Sequence, residues 1–369
     1  MNKKAIGFLA TLSMLAVTVF SFGGASQASE FNFAVTPKIP KNQVDKEKSY
    51  FDLLLKKGEK QTLEVELRND TDKEVEVSTT INSATTNING VVEYGANGLK
   101  PDKSLTYNLK DYAKAPEKVK LPKKSKEVLK IELSSPDKDM PGSMVGGITF
   151  KEVSKEKEKK NKDAGGLSIK NEFSYMVAIV SRQNEDKVKP NLNLTKAFPG
   201  QVNARNVINA NLQNDKPAFI NQLKLNTKIT KRGKDAALYE TTKEGMQVAP
   251  NSNFDFPTPL EGQELKAGKY TMHILALGGK HEDGKFKDDK GETYRYQWEM
   301  TKDFDISADE ADQLNNSDVS IKKTNPLWYV LGGAILLALL GLLIFFLKRR
   351  NEEDEDEEDD EEEEETEAK

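Results

Sequence analysis

The chain has 369 residues, with 55 Lys and Arg, 60 Asp and Glu and a formal net charge of −5. It contains no cysteine, which excludes disulfides, thiol catalysis and Cys-ligated zinc, so exported domains must be held by burial alone. The charge is uneven: residues 1–28 carry +2, residues 29–326 carry +4 (49 basic against 45 acidic) and residues 348–369 carry −11 (4 against 15). The near-neutral middle argues against a nucleic-acid partner.

The first 28 residues read as a secretory signal peptide. Lys3 and Lys4 form the charged start, residues 5–22 form an apolar run, and Ser26-Gln27-Ala28 is a small-residue cleavage site. From there to residue 326 the hydrophobic pattern has a period of two. "QTLEVELRN" puts Leu63, Val65 and Leu67 on one face, and "EVLKIEL" does the same with Leu129, Ile131 and Leu133. "INANLQN" aligns Ile208, Ala210 and Leu212; "LKLNTKI" aligns Leu223, Leu225 and Ile229. "QWEMTKDFDI" aligns Trp298, Met300, Phe304 and Ile306, with Lys302 as a break. These are half-buried strands, separated by turn signals such as Asn69-Asp70, Asn89-Gly90, Pro141-Gly142 and Asn214-Asp215. The chain also repeats itself loosely: "LEVELRNDTDKE" (63–74) resembles "INANLQNDKPAF" (208–219), and "DMPGSMVGGITF" (139–150) resembles "LKAGKYTMHILA" (265–276), in the same order. The fold class expected is therefore all-β, with two tandem immunoglobulin-like β-sandwiches.

The charged run at 151–166 invites a domain cut. However, "SIKNEFSYMVAIVSRQN" (168–184) is a natural hairpin partner for "SMVGGITF" (143–150), so that run reads as a loop inside the first sandwich. The first sandwich then covers 29–186 and the second 187–308, joined through "NEDKVKP" (184–190). Ser307 and Glu310 have capping-box spacing, so 309–326 reads as a short helix or stalk.

Residues 327–347 carry no charge. As a helix they span about 31 Å, which matches a bilayer core. Trp328 and Tyr329 stand at one end as interface anchors, and Lys348, Arg349 and Arg350 stand at the other. The positive-inside rule puts the C-terminus in the cytoplasm and residues 29–326 outside, the orientation that the signal peptide also demands. The acidic run 352–367 repels itself and buries nothing, so it reads as a disordered tail.

Catalytic and metal-binding patterns are missing. The two histidines, His273 and His281, fall in different element types, and there is no HExxH or GxSxG pattern. No catalytic residue, metal ligand or cofactor is expected. Two stretches suit recognition instead. "TTINSATTNINGVVEYG" (79–95) offers neutral hydrogen-bonding groups and Tyr94, fitted to sugars or peptide backbone, with a polar edge hairpin as the plainer reading. "QVAPNSNFDFPTPLEG" (247–262) holds Phe254 and Phe256, whose i, i+2 spacing more often anchors an edge strand in a core.

Several stretches resemble the WxL-interacting proteins of Gram-positive cell surfaces. They include "FNFAVTPKIPKNQVDKEKSYFDLLLKKGEKQTLEVELRNDTDKEVEV" (31–77), "NSATTNINGVVEYG" (82–95) and "PGSMVGGITFKE" (141–152). "LSIKNEFSYMVAIVSRQN" (167–184), "NVINANLQNDKPAFINQL" (206–223) and "MQVAPNSNFDFPTPLEGQELKAGKYT" (246–271) belong with them. The resemblance implies an N-terminal domain that binds peptidoglycan, a second that binds host components such as extracellular matrix proteins, and WxL-domain surface proteins as partners. It transfers no ligand-binding residue one by one, and the long acidic tail departs from the family's usual short basic ending. The function expected is a non-catalytic, membrane-anchored surface adaptor or adhesin. The alternatives are a receptor signalling through its acidic tail and a wall-modifying enzyme.

Overall fold

The computed structural model describes residues 32–153, 173–321 and 330–347. The signal peptide, most of the 151–166 loop, Trp328, Tyr329, Lys348, Arg349, Arg350 and the acidic tail lie outside the described residues. The N-terminal unit is built from β1 (Ala34–Lys38), β2 (Phe51–Leu54), β3 (Lys60–Asn69), β4 (Val75–Ser83), β5 (Thr85–Thr86), β6 (Val92–Glu93) and the one-turn helix α1 (Leu109–Tyr112). β7 (Ala113–Lys114), β8 (Lys118–Leu121), β9 (Ser125–Ser134), β10 (Ser143–Glu152) and β11 (Ser174–Arg182) complete it. The second unit comprises β12 (Asn193–Val202), β13 (Arg205–Asn214), β14 (Ile220–Lys231), β15 (Ala237–Val248), β16 (Ser252–Pro259), β17 (Gly268–Lys280), β18 (Phe286–Lys287), β19 (Thr293–Ile306) and α2 (Ala308–Ser317). The apolar helix α3 (Val330–Leu347) follows.

Each unit is two sheets around one core. The first stacks β1-β3-β9-β7 on β2-β11-β10-β4-β8; the second stacks β12-β13-β16 on β15-β14-β17-β19-β18. The alternating residues are what join them. Leu63, Val65 and Leu67 of β3 are buried in one cluster with Ile148, Phe150 and Ile179 of the opposite sheet. Ile208, Ala210 and Leu212 of β13 are buried with Leu225, Ile229, Met272 and Ile274. Each such Val, Leu, Ile, Phe or Met side chain contributes about 1.5–3 kcal/mol on burial. Lys302, which breaks the alternation, is exposed. The hairpin across the charged run forms as read, with Ser143 opposite Arg182 and Lys151 opposite Ser174. β11 therefore lies in the first sandwich, between β10 and β2.

The internal repeat is structural, and one residue type carries it. β3 and β13 hold equivalent places in their sheets, as do β4 and β14, β10 and β17, and β11 and β19. Asn69 ends β3 and Asn214 ends β13, and both are 0% exposed. Asn69 accepts from the Thr71 N–H at 2.9 Å and donates to the carbonyls of Lys73, Leu121 and Pro122 at 2.8, 3.1 and 2.9 Å. Asn214 accepts from the Lys216 N–H at 3.2 Å and donates to the carbonyls of Ala218 and Ala249 at 2.7 and 3.0 Å. The partner loop also repeats: Lys124 at φ 50° and Asn251 at φ 49° take the left-handed conformation, and each donates 3.1 Å to the residue after the Asn-Asp pair, Thr71 and Lys216 respectively. A neutral amide is required because the site needs a donor and an acceptor at once in a space without water.

The second sandwich carries one unusual charge. Lys224 of β14 is 1% exposed, and its ammonium contacts Asp288, Asp289 and Glu244 at 2.8, 2.7 and 3.2 Å. The hydrogen bonds that it donates to these carboxylates hold the Lys224 pKa above the ordinary lysine range. The Lys224 ammonium in turn holds Asp288 and Asp289 below the ordinary aspartate range. The cluster straps the loop after β18 onto the start of β14.

The segment after β19 is folded against the second sandwich. The Ser307 hydroxyl accepts from the Glu310 N–H at 3.2 Å to cap α2, and Ala311 is buried. Gln201 donates to the Leu314 carbonyl at 2.9 Å, Asn315 both donates to and accepts from the Leu265 backbone at 2.9 Å, and Asp318 accepts from the Asn206 N–H at 2.7 Å. α3, with a mean hydropathy of 2.9 over 18 residues, is long and apolar enough to cross a membrane.

Two predictions follow from these buried polar groups. Asn214→Asp removes the amide donors and puts a carboxylate against two carbonyls, so it should cost at least about 3 kcal/mol in chemical denaturation, with Asn69→Asp behaving alike. Lys224→Met should lower the thermal midpoint by at least about 5 °C at pH 7, because Asp288 is left buried without its cation. The depressed carboxylates stabilise the fold fully above the ordinary carboxylate range, and that contribution is lost as pH falls through their lower folded values. The wild type should therefore show a steeper loss of stability than Lys224→Met on acidification below about pH 4.

Candidate functional site

The polar stretch 79–95 does not end in a free edge. It leaves β4 at Ser83 and enters the small β5–β6 hairpin, with Thr85 opposite Glu93 and Thr86 opposite Val92. Its turn is set by Asn87, whose side chain accepts from the Asn89 and Val91 N–H groups at 2.9 and 3.1 Å. Tyr94 then lies across the outer face of β10. Gly147 makes this possible, since a Cβ there would sit 2.9 Å from the Tyr94 Cβ. Burial raises the Tyr94 pKa, with Tyr50 adding to the effect.

The hairpin reaches the other recognition stretch, 247–262. The Gly90 carbonyl accepts from the Gln247 N–H at 2.8 Å, and Gly90, at φ 69°, sits where any Cβ would meet the Met246 side chain at 2.5 Å. The Thr86 hydroxyl accepts from the Ala249 N–H at 2.9 Å and lies 3.0 Å from the Ser252 hydroxyl. A small apolar cluster of Ala84, Val145, Val180 and Ala249, with Tyr94 and Phe219 against it, backs these bonds. Phe254 and Phe256 are buried in the core of the second sandwich, as their spacing implied. The two stretches are thus halves of one junction.

Beside the junction is an open cleft of about 860 Å³. The first sandwich contributes Asn82, Thr85, Asn97 and Asn108, and the second contributes Thr195, Asn211, Gln213 and Asn253. Asp102 bridges its walls: its carboxylate accepts from Gln213 at 2.9 Å, from Asn253 at 2.6 Å and from the Ser104 N–H at 2.8 Å. Burial pushes the Asp102 pKa up, but the hydrogen bonds from Ser104, Asn253 and Gln213 outweigh it and hold the group below the ordinary aspartate range. Lys100, Lys103 and Lys110 are exposed around the cleft. A second, more apolar groove of about 640 Å³ lies between β15 and β16, with Ile88 of the hairpin at its edge. Of the cleft residues, Asn82, Thr85 and Asn253 fall in the two stretches singled out in the sequence, whereas Asp102, Asn211 and Gln213 do not. Asp102, Gln213 and Asn253 are brought together from 111 and 151 residues apart, and no local pattern marks such a meeting.

The histidines stay apart: His273 lies within β17, and His281 lies in the following loop, 3.4 Å from Asp283.

Comparison with known proteins follows the same division. The family model described as WxL Interacting Protein, peptidoglycan binding domain, matches residues 33–152, and that described as WxL Interacting Protein, host binding domain, matches residues 164–316. No curated protein matches the chain. Among solved structures, the chain is similar to the class 5 fimbriae chaperone CfaA, at 14% identity and a TM-score of 0.29, over 73% of this chain and 99% of that one. It is also similar to the YadV chaperone (13%, TM-score 0.28, 74% and 100%) and to the E. coli chaperone DraB (15%, TM-score 0.25, 74% and 98%). These structural likenesses are too low to support an argument.

The bridging carboxylate makes a prediction. Asp102→Ala should loosen the cleft wall, so that residues 95–108 become the first site cut in limited proteolysis at pH 7. Acidification should mimic this in the wild type, because a depressed carboxylate gives up its contribution as pH falls through its folded value. Digestion rates unchanged by substitution or by pH would show that the bridge does not order the segment.

Proposed function

The chain belongs to the WxL-interacting protein family, and from that premise we propose that it is a membrane-anchored adaptor that binds peptidoglycan through its first sandwich and host matrix components through its second, in partnership with WxL-domain surface proteins. One observation carries the reading: a peptidoglycan-binding and a host-binding family model match in that order along one chain. Binding families of this kind support a non-catalytic surface protein. Neutral amides and hydroxyls in the junction suit recognition by hydrogen bonds rather than bond cleavage.

The proposed organisation keeps a signal peptide at 1–28, a first sandwich at 29–186 and a second at 187–308. The host-binding match begins at 164, before β11, yet β11 completes the first sheet pair, which favours a working boundary after Arg182. α3 would cross the membrane, flanked by Trp328 and Tyr329 outside and by Lys348, Arg349 and Arg350 in the cytoplasm. The acidic tail is then a solvated cytoplasmic end.

The test uses the full-length protein in detergent micelles, mixed with purified sacculi and, separately, with a WxL domain. The protein should pellet with sacculi and capture the WxL domain, and deletion of residues 351–369 should change neither. Failure to bind either target would sink the adaptor reading. Loss of capture on tail deletion would favour the receptor, and release of soluble muropeptides would reveal an enzyme.

A further inference from the structure

We propose that the cleft between the two sandwiches is a composite binding site for an N-acetylated, carboxylate-bearing glycan. The inference rests on the wall-binding reading above and assigns that reading a place: a site completed by residues of both domains.

Size is the first argument. A cleft of about 860 Å³ falls in the range of sites that enclose small ligands, and it is open enough to admit a chain. Lining chemistry is the second. Neutral side chains dominate the walls, and among the described residues no aromatic ring lines them. Apolar or stacking ligands are therefore poor candidates, whereas acetamido groups, each with one donor and one acceptor, match Asn and Gln side chains.

The third argument is one orphaned group. Asn82 lines the cleft, is only 8% exposed, and its Nδ2 has no hydrogen-bond partner. The amides around it are already engaged. Asn97 donates to the Thr85 hydroxyl at 2.6 Å, Asn108 accepts from the Ser83 hydroxyl at 2.9 Å, Asn211 donates to Asp255 at 2.8 Å, and Gln213 and Asn253 hold Asp102. A second buried orphan, the Thr149 hydroxyl, lies behind Gly95 and does not itself line the cleft. Buried polar groups without partners are rare in folded proteins, and Asn82 on the cleft's own lining marks where a ligand's acceptor belongs.

Charge is the fourth. The carboxylate of Asp102 is spent on Ser104, Gln213 and Asn253, while Lys100, Lys103 and Lys110 stand exposed around the opening. An amide-rich floor with cations at the rim suits a glycan whose sugars carry acetamido groups and whose substituents carry carboxylates.

The experiment titrates full-length protein in micelles with three probes: a purified disaccharide–peptide muropeptide, chitotetraose and the free stem peptide. The muropeptide should bind most tightly, chitotetraose more weakly and the free peptide least. Asn82→Leu, of similar volume, should weaken muropeptide binding at least tenfold while its thermal midpoint stays level or rises, because it deletes an unpaired buried donor. A merely structural asparagine would give the reverse. Lys100→Ala with Lys103→Ala, at exposed positions, should weaken the muropeptide and leave chitotetraose unchanged. Muropeptide affinity within twofold of wild type in both variants overturns the proposal, as does tightest binding by the free peptide. If wild type pellets with sacculi and the variants do so equally, the cleft is the wrong site and the wall-binding reading stands. If wild type does not bind sacculi, both fall.

Discussion

Two buried asparagines organise this molecule. Asn69 and Asn214 each close the end of a core strand by bonding to the backbone of their own turn and of the loop that follows the neighbouring sheet's edge strand. Period-two burial already opposes a one-residue slip, which would turn every apolar side chain to the other face, but it does not place the turns at the strand ends. A fully buried amide cannot slide: a shift of one position leaves a carbonyl and an amide without partners, at about 1–3 kcal/mol each. The clamp therefore adds to burial in holding the register and places the turn at the end of a core strand, once in each sandwich.

The junction between the sandwiches is built on the second clamp. Ala249 gives its carbonyl to Asn214 and its N–H to the Thr86 hydroxyl of the first sandwich. The corresponding carbonyl in the first sandwich, that of Pro122, has no N–H to offer, and the chain there turns back into β9. A difference of one residue at equivalent positions thus distinguishes the loop that receives a neighbouring domain from the one that does not. Around this contact the β5–β6 hairpin, the Asp102 bridge and the Ala84 cluster are added from the long excursion between β4 and β7. That excursion has no counterpart in the second sandwich, where β14 and β15 are joined by a short turn.

What the sequence makes legible follows from range. Period-two alternation depends on neighbours two residues apart, so Leu63, Val65 and Leu67 announce their strand and its buried face. The hairpin between β10 and β11 could be read across a charged insertion because both strands are strongly apolar. The likeness of 63–74 to 208–219 announced the repeat, although not its cause: an asparagine before an aspartate looks like any surface turn until the carbonyls of Leu121 and Ala249 are brought to it. The cleft was illegible for the same reason. Asn82 reads as one polar residue in a polar strand. It stands opposite Gly147 of β10, over which Tyr94 lies, and its Nδ2 is buried there without a partner. Lys224 likewise falls on the polar face of an alternating strand, with no hint that Asp288, far along the chain, will receive it.

The placement of α2 carries the geometry outward from the cores. Because Asn315, Asp318 and Val319 are bonded to the second sandwich, only residues 322–329 separate that sandwich from α3. Eight residues extend at most about 29 Å. With α3 in a bilayer, the second sandwich stays within that distance of the surface, and the junction makes the first sandwich move with it. A flexible stalk would let each domain search a large volume for its target. In the proposed membrane-anchored arrangement, a short tether and a bonded junction would instead hold both sandwiches near the bilayer surface at a high effective concentration, and a cleft shared by the two domains is the one site that such an arrangement would keep assembled.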